Sequence, residues 1–150
     1  MNLSNHFKLR EVIKSQTASR LGIDNSLPEK LVEDARLFAE KILEPVRAHF
    51  GVPFSPQSWY RCPELNKAVK GSPSSEHQYA TAADIEISGV SNLELAKFIK
   101  DNLEFNQLIL EFYTDEDPRS GWVHCSYAPF VNMGKVSRFD GKKWKIGLED

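Results

Sequence analysis

The 150-residue chain is 41% hydrophobic, 11% aromatic and 27% charged, a balance that excludes wholesale disorder and, with about 70% of the unfolded surface buried on folding, leaves room for one domain and not two. Nineteen Lys and Arg against 21 Asp and Glu give a formal net charge of −2, and no long run of one sign supplies the footprint of a nucleic-acid binder. No apolar stretch approaches the roughly 20 residues that cross a bilayer, the N-terminus lacks the basic-then-apolar order of an export signal, and two cysteines are no disulfide framework. The expectation is a monomer made in a reducing cytoplasm, with no nucleic-acid or membrane partner.

Taken in chain order, a short helix is predicted around Phe7 to Lys14. From Leu27 to Phe50, apolar residues including Leu31, Ala35, Phe38, Ile42, Val46 and Phe50 recur at three and four with charged residues between them, the period of an amphipathic helix. Pro28 suits its first turn and Gly51 its stop, while Pro45 should kink or divide it. Strand patterns follow at Ser58 to Arg61 and Ala83 to Ile87. Ser91 with Glu94 makes a capping box for a helix ending near Asn102. Further strands are predicted at Gln107 to Phe112 and Trp122 to Tyr127, with a closing hairpin turning at Asp140-Gly141. Helices in the first third and strands in the rest predict an α+β fold with helices packed on a mostly antiparallel sheet. The organisation expected is one unit: a helical part at about 5–50, a motif-bearing α+β part at about 51–135, and a hairpin or tail at about 136–150.

The chemistry concentrates after the loop at 70–75. His77, Asp84 and His124 are two imidazoles and a carboxylate, which supply three ligands to a zinc ion and leave a fourth, catalytic position open. Alternation on the strand at 122–127 puts Trp122, His124 and Ser126 on one face and Val123, Cys125 and Tyr127 on the other. Cys62 and Cys125 follow Arg61 and His124 by one position, so if Arg61 and His124 face the metal, both thiols should face away as small hydrophobes in the core. His6 and His49 read as ordinary surface or core histidines. On spacing alone, the three-residue metal site is a weak signal.

Ser75-Glu76-His77-Gln78-Tyr79-Ala80-Thr81-Ala82-Ala83-Asp84 resembles the S-x-H-x-x-G-x-A-x-D signature of the zinc D-alanyl-D-alanine carboxypeptidase family, the M15-like peptidases. Trp122-Val123-His124 resembles its downstream W-x-H, Ser58-Trp59-Tyr60-Arg61 its S-G-Y-R strand, and Glu64-Leu65-Asn66 and 107–112 agree in order. The N-terminal part, from about Phe7 through Leu43-Glu44-Pro45-Val46-Arg47, also resembles small peptidases of this type encoded by phages and prophages, so the resemblance covers roughly residues 5–135. It implies a hedgehog/DD-peptidase α+β fold and one zinc ion held by His77, Asp84 and His124. Arg61 and Ser75 would face the substrate. A guanidinium holds a terminal carboxylate or a developing oxyanion bidentately, which suits the role implied for Arg61.

Three positions depart from the pattern. Ala80 and Trp59 stand where the family has Gly, and Gly121 stands where many members carry an acidic general base three residues before the last His. Alternation turns Gln107, Ile109 and Glu111 away from Leu108, Leu110 and Phe112, which read as core, and makes Glu111 the candidate base. Asp115, Glu116 and Asp117 are the runners-up. The function implied is a zinc peptidase of peptidoglycan stem peptides, either a D-Ala-D-Ala carboxypeptidase or an L-Ala-D-Glu-type endopeptidase. As a phage or prophage lysin it would reach the bacterial wall after release or within a phage particle. The alternative is a non-catalytic wall-binding or virion structural protein that keeps the fold.

Overall fold

The apolar period that begins at Leu27 does fold as a helix, but in pieces. In the computed structural model, which describes residues 1–148, Pro28 precedes a 3₁₀ turn at Glu29–Leu31. Helix α3 (Val32–Phe38), a π turn (Ala39–Leu43) and α4 (Glu44–Phe50) then run on without a break, and Gly51 caps the end. Pro45 lies in the first turn of α4, and the turn ahead of it widens to π geometry, which gives the pyrrolidine ring room without dividing the helix. Two short helices precede this unit, α1 (Leu9–Ile13) and α2 (Gln16–Leu21).

Residues 58–61 do not form a strand. Only Ser58 makes an antiparallel bridge, to Asp84. Tyr60 N–H donates to Val12 and Arg61 N–H to His77, so the segment's backbone bonds go to different neighbours and no ladder extends. Helix α5 (Pro63–Ala68), which the sequence reading missed, follows at once. Its signal was Pro63 at the first helical position. Cys62 Sγ accepts from Leu65 N at 3.4 Å, so this thiol is a half-buried cap and not a core residue.

A 3₁₀ turn (Glu76–Tyr79) leads into β1 (Ala82–Ile85). Helix α6 (Asn92–Asn102), with Ser91 Oγ accepting from Glu94 N, is followed by β2 (Gln107–Glu111), β3 (Trp122–Ser126), β4 (Lys135–Phe139) and β5 (Trp144–Ile146). These strands make one sheet in the order β1-β3-β2-β4-β5, antiparallel except where β2 meets β4. The α+β class and mostly antiparallel sheet are as expected.

One sheet face is core. Ala83, Ile85, Leu108, Leu110, Val123 and Cys125 are fully buried on it, in one cluster with Leu95, Ala96 and Ile99 of α6 and with Phe38 and Ile42 of the N-terminal helices. Each large side chain buried there contributes about 1.5–3 kcal/mol of transfer free energy. The opposite face carries the polar residues, and alternation commits each strand residue to one face or the other. Among the described residues, no helix is long and apolar enough to cross a membrane.

Candidate functional site

Strand register builds the site. Asp84 on β1 pairs directly with His124 on β3, and His124 with Ile109 on β2. Ser58 bridges Asp84 from the other side. All lie on the polar face, as alternation predicted for His124. His77 comes from the turn before β1 and is 2% exposed. Its Nδ1 lies 2.6 Å from the Trp59 carbonyl. A carbonyl accepts only, so Nδ1 carries the proton and Nε2 presents its lone pair to the site.

That lone pair faces Asp84. His77 Nε2 is 3.4 Å and His124 Nδ1 3.1 Å from Asp84 Oδ1, and one ligand atom from each of the three residues lies within 4.8 Å of the others. Ligands on a tetrahedral zinc with bonds of 2.0–2.1 Å stand about 3.3 Å apart, so the donor set and its spacing fit such an ion. Burial pushes the His77 pKa below its ordinary value, although Asp84 pulls the other way. The imidazole is therefore neutral, as a ligand must be. Burial also opposes ionisation of Asp84, but hydrogen bonding, from His124 foremost, outweighs it and holds the carboxyl well below the usual carboxylate range.

Arg61 fixes the other carboxylate oxygen. Its Nη2 is 3.2 Å from Asp84 Oδ2, Nε donates to Ser58 Oγ at 3.1 Å, and Nη1 reaches Asn66 Oδ1 at 3.5 Å. Asn66 is in turn held by the Ser72 carbonyl. Gly71 must be glycine for this packing, because a Cβ there would come within 2.1 Å of Asn66 Oδ1 and 3.2 Å of Arg61 Nη1. Ser75 Oγ accepts from His77 N at 3.2 Å and so caps its own turn. Ser75 also lines the groove, and its hydroxyl keeps a proton that it can donate.

That groove, about 480 Å³, is lined by Arg61, His77, Asp84, Glu111, Trp122 and His124, with Ser72, Ser74 and Ser75 on one side and Phe139 and Trp144 on another. Glu111 is paired with Trp122 across β2 and β3, and so lies diagonal to His124 on the same face. Burial and the charge of Asp84 raise its pKa. The three runners-up are elsewhere. Asp115 is ion-paired with Arg138, Glu116 is bonded to Thr114, and Asp117 accepts from Arg119 N, all on an exposed turn outside the groove.

The departures from the family pattern acquire reasons here. Gly121 has φ +67°, and a Cβ on it would lie 1.8 Å from the Glu111 carbonyl oxygen. An acidic side chain therefore has no place at 121, while Glu111 on the neighbouring strand lines the groove with Glu76 and Asp84. Gly121→Asp is expected to cost about 3 kcal/mol or more, a fall in Tm of roughly 10 °C by thermal unfolding. Ala80 occupies the left-handed region at φ 62°, the conformation for which glycine is the default residue. Trp59 is fully buried, against Phe38, and does not wall the groove. Its indole N–H donates to the Ala80 carbonyl at 2.8 Å while its own carbonyl holds His77, so the two unusual residues brace each other and His77.

Phe112, expected in the core, is 44% exposed. Its φ of 55° ends β2 and swings the ring onto Trp122 and Phe139. The sequence reading also missed Glu76, whose Oε1 accepts from Ser126 Oγ at 2.8 Å and Asn106 Nδ2 at 3.1 Å on the groove wall. Its place beside His77 in the signature was the available signal. Cys125 is buried and its thiol is pushed far up by burial, as befits an inert core residue. His6 is paired with Glu44, and His49 is stacked on Phe98.

Residues 5–126 match the family described as peptidase M15. The chain belongs to the peptidase M15 family. It is a metallopeptidase with the hedgehog/DD-peptidase fold, and the matched residues include the signature turn, β1 and the whole of β3. No curated protein matches the chain. Strands β4 and β5 lie beyond the matched residues.

Proposed function

We propose that this M15 peptidase binds one zinc ion through His77, Asp84 and His124 and hydrolyses peptidoglycan stem peptides, as a D-Ala-D-Ala carboxypeptidase or an L-Ala-D-Glu-type endopeptidase of phage or prophage origin. The observation that carries the reading is the buried His77–Asp84–His124 cluster, with two imidazole nitrogens 3.1 and 3.4 Å from one carboxylate oxygen in an open groove. The proposed unit is the whole chain, made in the cytoplasm and acting on the wall after release or from within a phage particle.

A zinc ion held by His77, Asp84 and His124 would supply Lewis acidity toward the scissile carbonyl and lower the pKa of water there. The remaining work falls to side chains. Glu111, with its pKa raised toward the working pH, takes a proton from the attacking water and returns it to the leaving amine. Arg61 keeps Asp84 oriented and presents positive charge to a substrate carboxylate or developing oxyanion. Ser75 donates its hydroxyl proton to a substrate oxygen.

The test is zinc per chain by elemental mass spectrometry on untagged protein purified without chelator, followed by mass spectrometry of sacculi digests. About one zinc and a defined stem-peptide cut are expected. No zinc after reconstitution, or binding to sacculi that never leads to cleavage, overturns the reading in favour of a wall-binding protein.

A further inference from the structure

Strands β4 and β5 carried no functional motif, yet they form one end of the groove. Register places Trp122, Glu111, Phe139 and Trp144 in a single row across β3, β2, β4 and β5, beside the row that holds Asp84 and His124. The Phe139 and Trp144 rings stack at 4.5 Å and 26°, and Phe112 bridges Phe139 to Trp122 at 5.4 and 5.0 Å. This end of the molecule is anchored. Phe112 N donates to the Phe139 carbonyl, and the Arg138 guanidinium reaches the Leu148 and Tyr113 carbonyls at 3.2 and 3.5 Å and lies over the Tyr113 ring. Even so, Trp144 is 59% exposed. An aromatic face stacked across two paired strands, open to water and continuous with a peptidase groove, has the character of a binding surface, and the core gains little from it.

The chemistry of the substrate selects the occupant. Stem peptides offer methyls, carboxylates and an amine, none of which needs a stacked aromatic wall. The amino sugars to which they are attached offer flat C–H faces that pack on aromatic rings. Three strand spacings separate β3 from β5, about 14 Å. A D-Ala-D-Ala cut leaves a lactyl linkage and four residues on the sugar side, which cover that distance at up to about 3.4 Å per residue, whereas an L-Ala-D-Glu cut leaves one residue and falls short. Building on the peptidoglycan reading, we infer that Phe139 and Trp144 form a saccharide-stacking subsite for a pyranose ring of the glycan strand, so that the enzyme takes its stem peptide while still joined to sugar.

Two readouts test this on the full chain. In ¹H–¹⁵N spectra, millimolar N-acetylglucosaminyl-N-acetylmuramic acid should shift the Trp144 indole signal, assigned with Trp144→Phe, and leave that of the buried Trp59 in place. This measurement needs neither zinc nor turnover, so it can fail or succeed independently of the peptidase reading. On the zinc-loaded enzyme, a disaccharide-linked stem peptide should be cleaved with a KM about three- to tenfold below that of the same free peptide. Trp144→Ala should bring that ratio close to one, and Trp144→Phe should restore part of it. A Trp144 signal that moves with free stem peptide and not with disaccharide, or a KM ratio of one in the unaltered enzyme, overturns the sugar assignment. Equal KM losses on both substrates in Trp144→Ala overturn it in favour of a peptide-binding wall.

Discussion

Asp84→Ala is expected to abolish both metal binding and hydrolysis, and to weaken the apo fold as well. Asp84 Oδ1 faces both imidazoles and Oδ2 holds Arg61, so one substitution removes a ligand and strands a guanidinium whose side chain is only 18% exposed. Breaking one side of such a buried pair costs about 3–5 kcal/mol. Zinc per chain should fall from about one to near zero, and chelator-treated samples should melt lower than the unaltered apo protein. The pH dependence follows the same groups. The folded-state pKa of Asp84 lies below its unfolded value, so its contribution is present above about pH 4 and lost as pH falls through the depressed value. The lowered pKa of His77 acts in the same direction from about pH 6.5 downward, since the unfolded chain takes up the proton first. Glu111 acts oppositely. Its raised pKa means the folded chain holds a proton more tightly, and stability is lost as pH rises through that value. Acid melting series should therefore show a steep fall in apo stability below pH 6.5 that Asp84→Asn makes shallower at its lower end. Retained zinc or retained turnover in Asp84→Ala would remove the ligand assignment.

Glu111→Gln should separate chemistry from folding. Removing a positioned general base costs about 10²- to 10⁴-fold in kcat. The amide keeps the shape of the side chain and removes a charge that burial and Asp84 both disfavour. The variant should therefore keep its zinc and melt at or above the unaltered protein at neutral pH, while turnover collapses. Asp117→Asn is the control, because Asp117 lies on an exposed turn outside the groove. A Glu111→Gln variant with full activity would return the base to another carboxylate. Full inactivity accompanied by zinc loss would show Glu111 acting through the ligands and not on water.

Much of this was legible from local chemistry. The helical period of 27–50, the Ser91 cap, the β2 and β3 alternation and the hairpin turn at Asp140 are all set within a few residues, where spacing and side-chain hydrogen bonding decide. The candidate metal-binding triad was legible because a signature turn and a W-x-H strand keep their residue order. By contrast, the strand expected at 58–61 failed because Trp59 buries its ring beneath the site and the backbone around it bonds to three separate neighbours. Phe112 failed because alternation assumes extended backbone and its φ is 55°.

Sequence by itself therefore determined which residues could ligate a metal and which face each strand would bury, since both depend on residue type and a period of two or 3.6. Only the tertiary structure decided why Gly121 excludes an acid, that Glu111 lines the groove diagonal to His124, that Trp59 and Ala80 brace His77, and that Phe139 and Trp144 join the groove. Each of those depends on strand register or on a carbonyl brought close from a distant segment, and contacts between residues tens of positions apart leave no periodic trace in the chain.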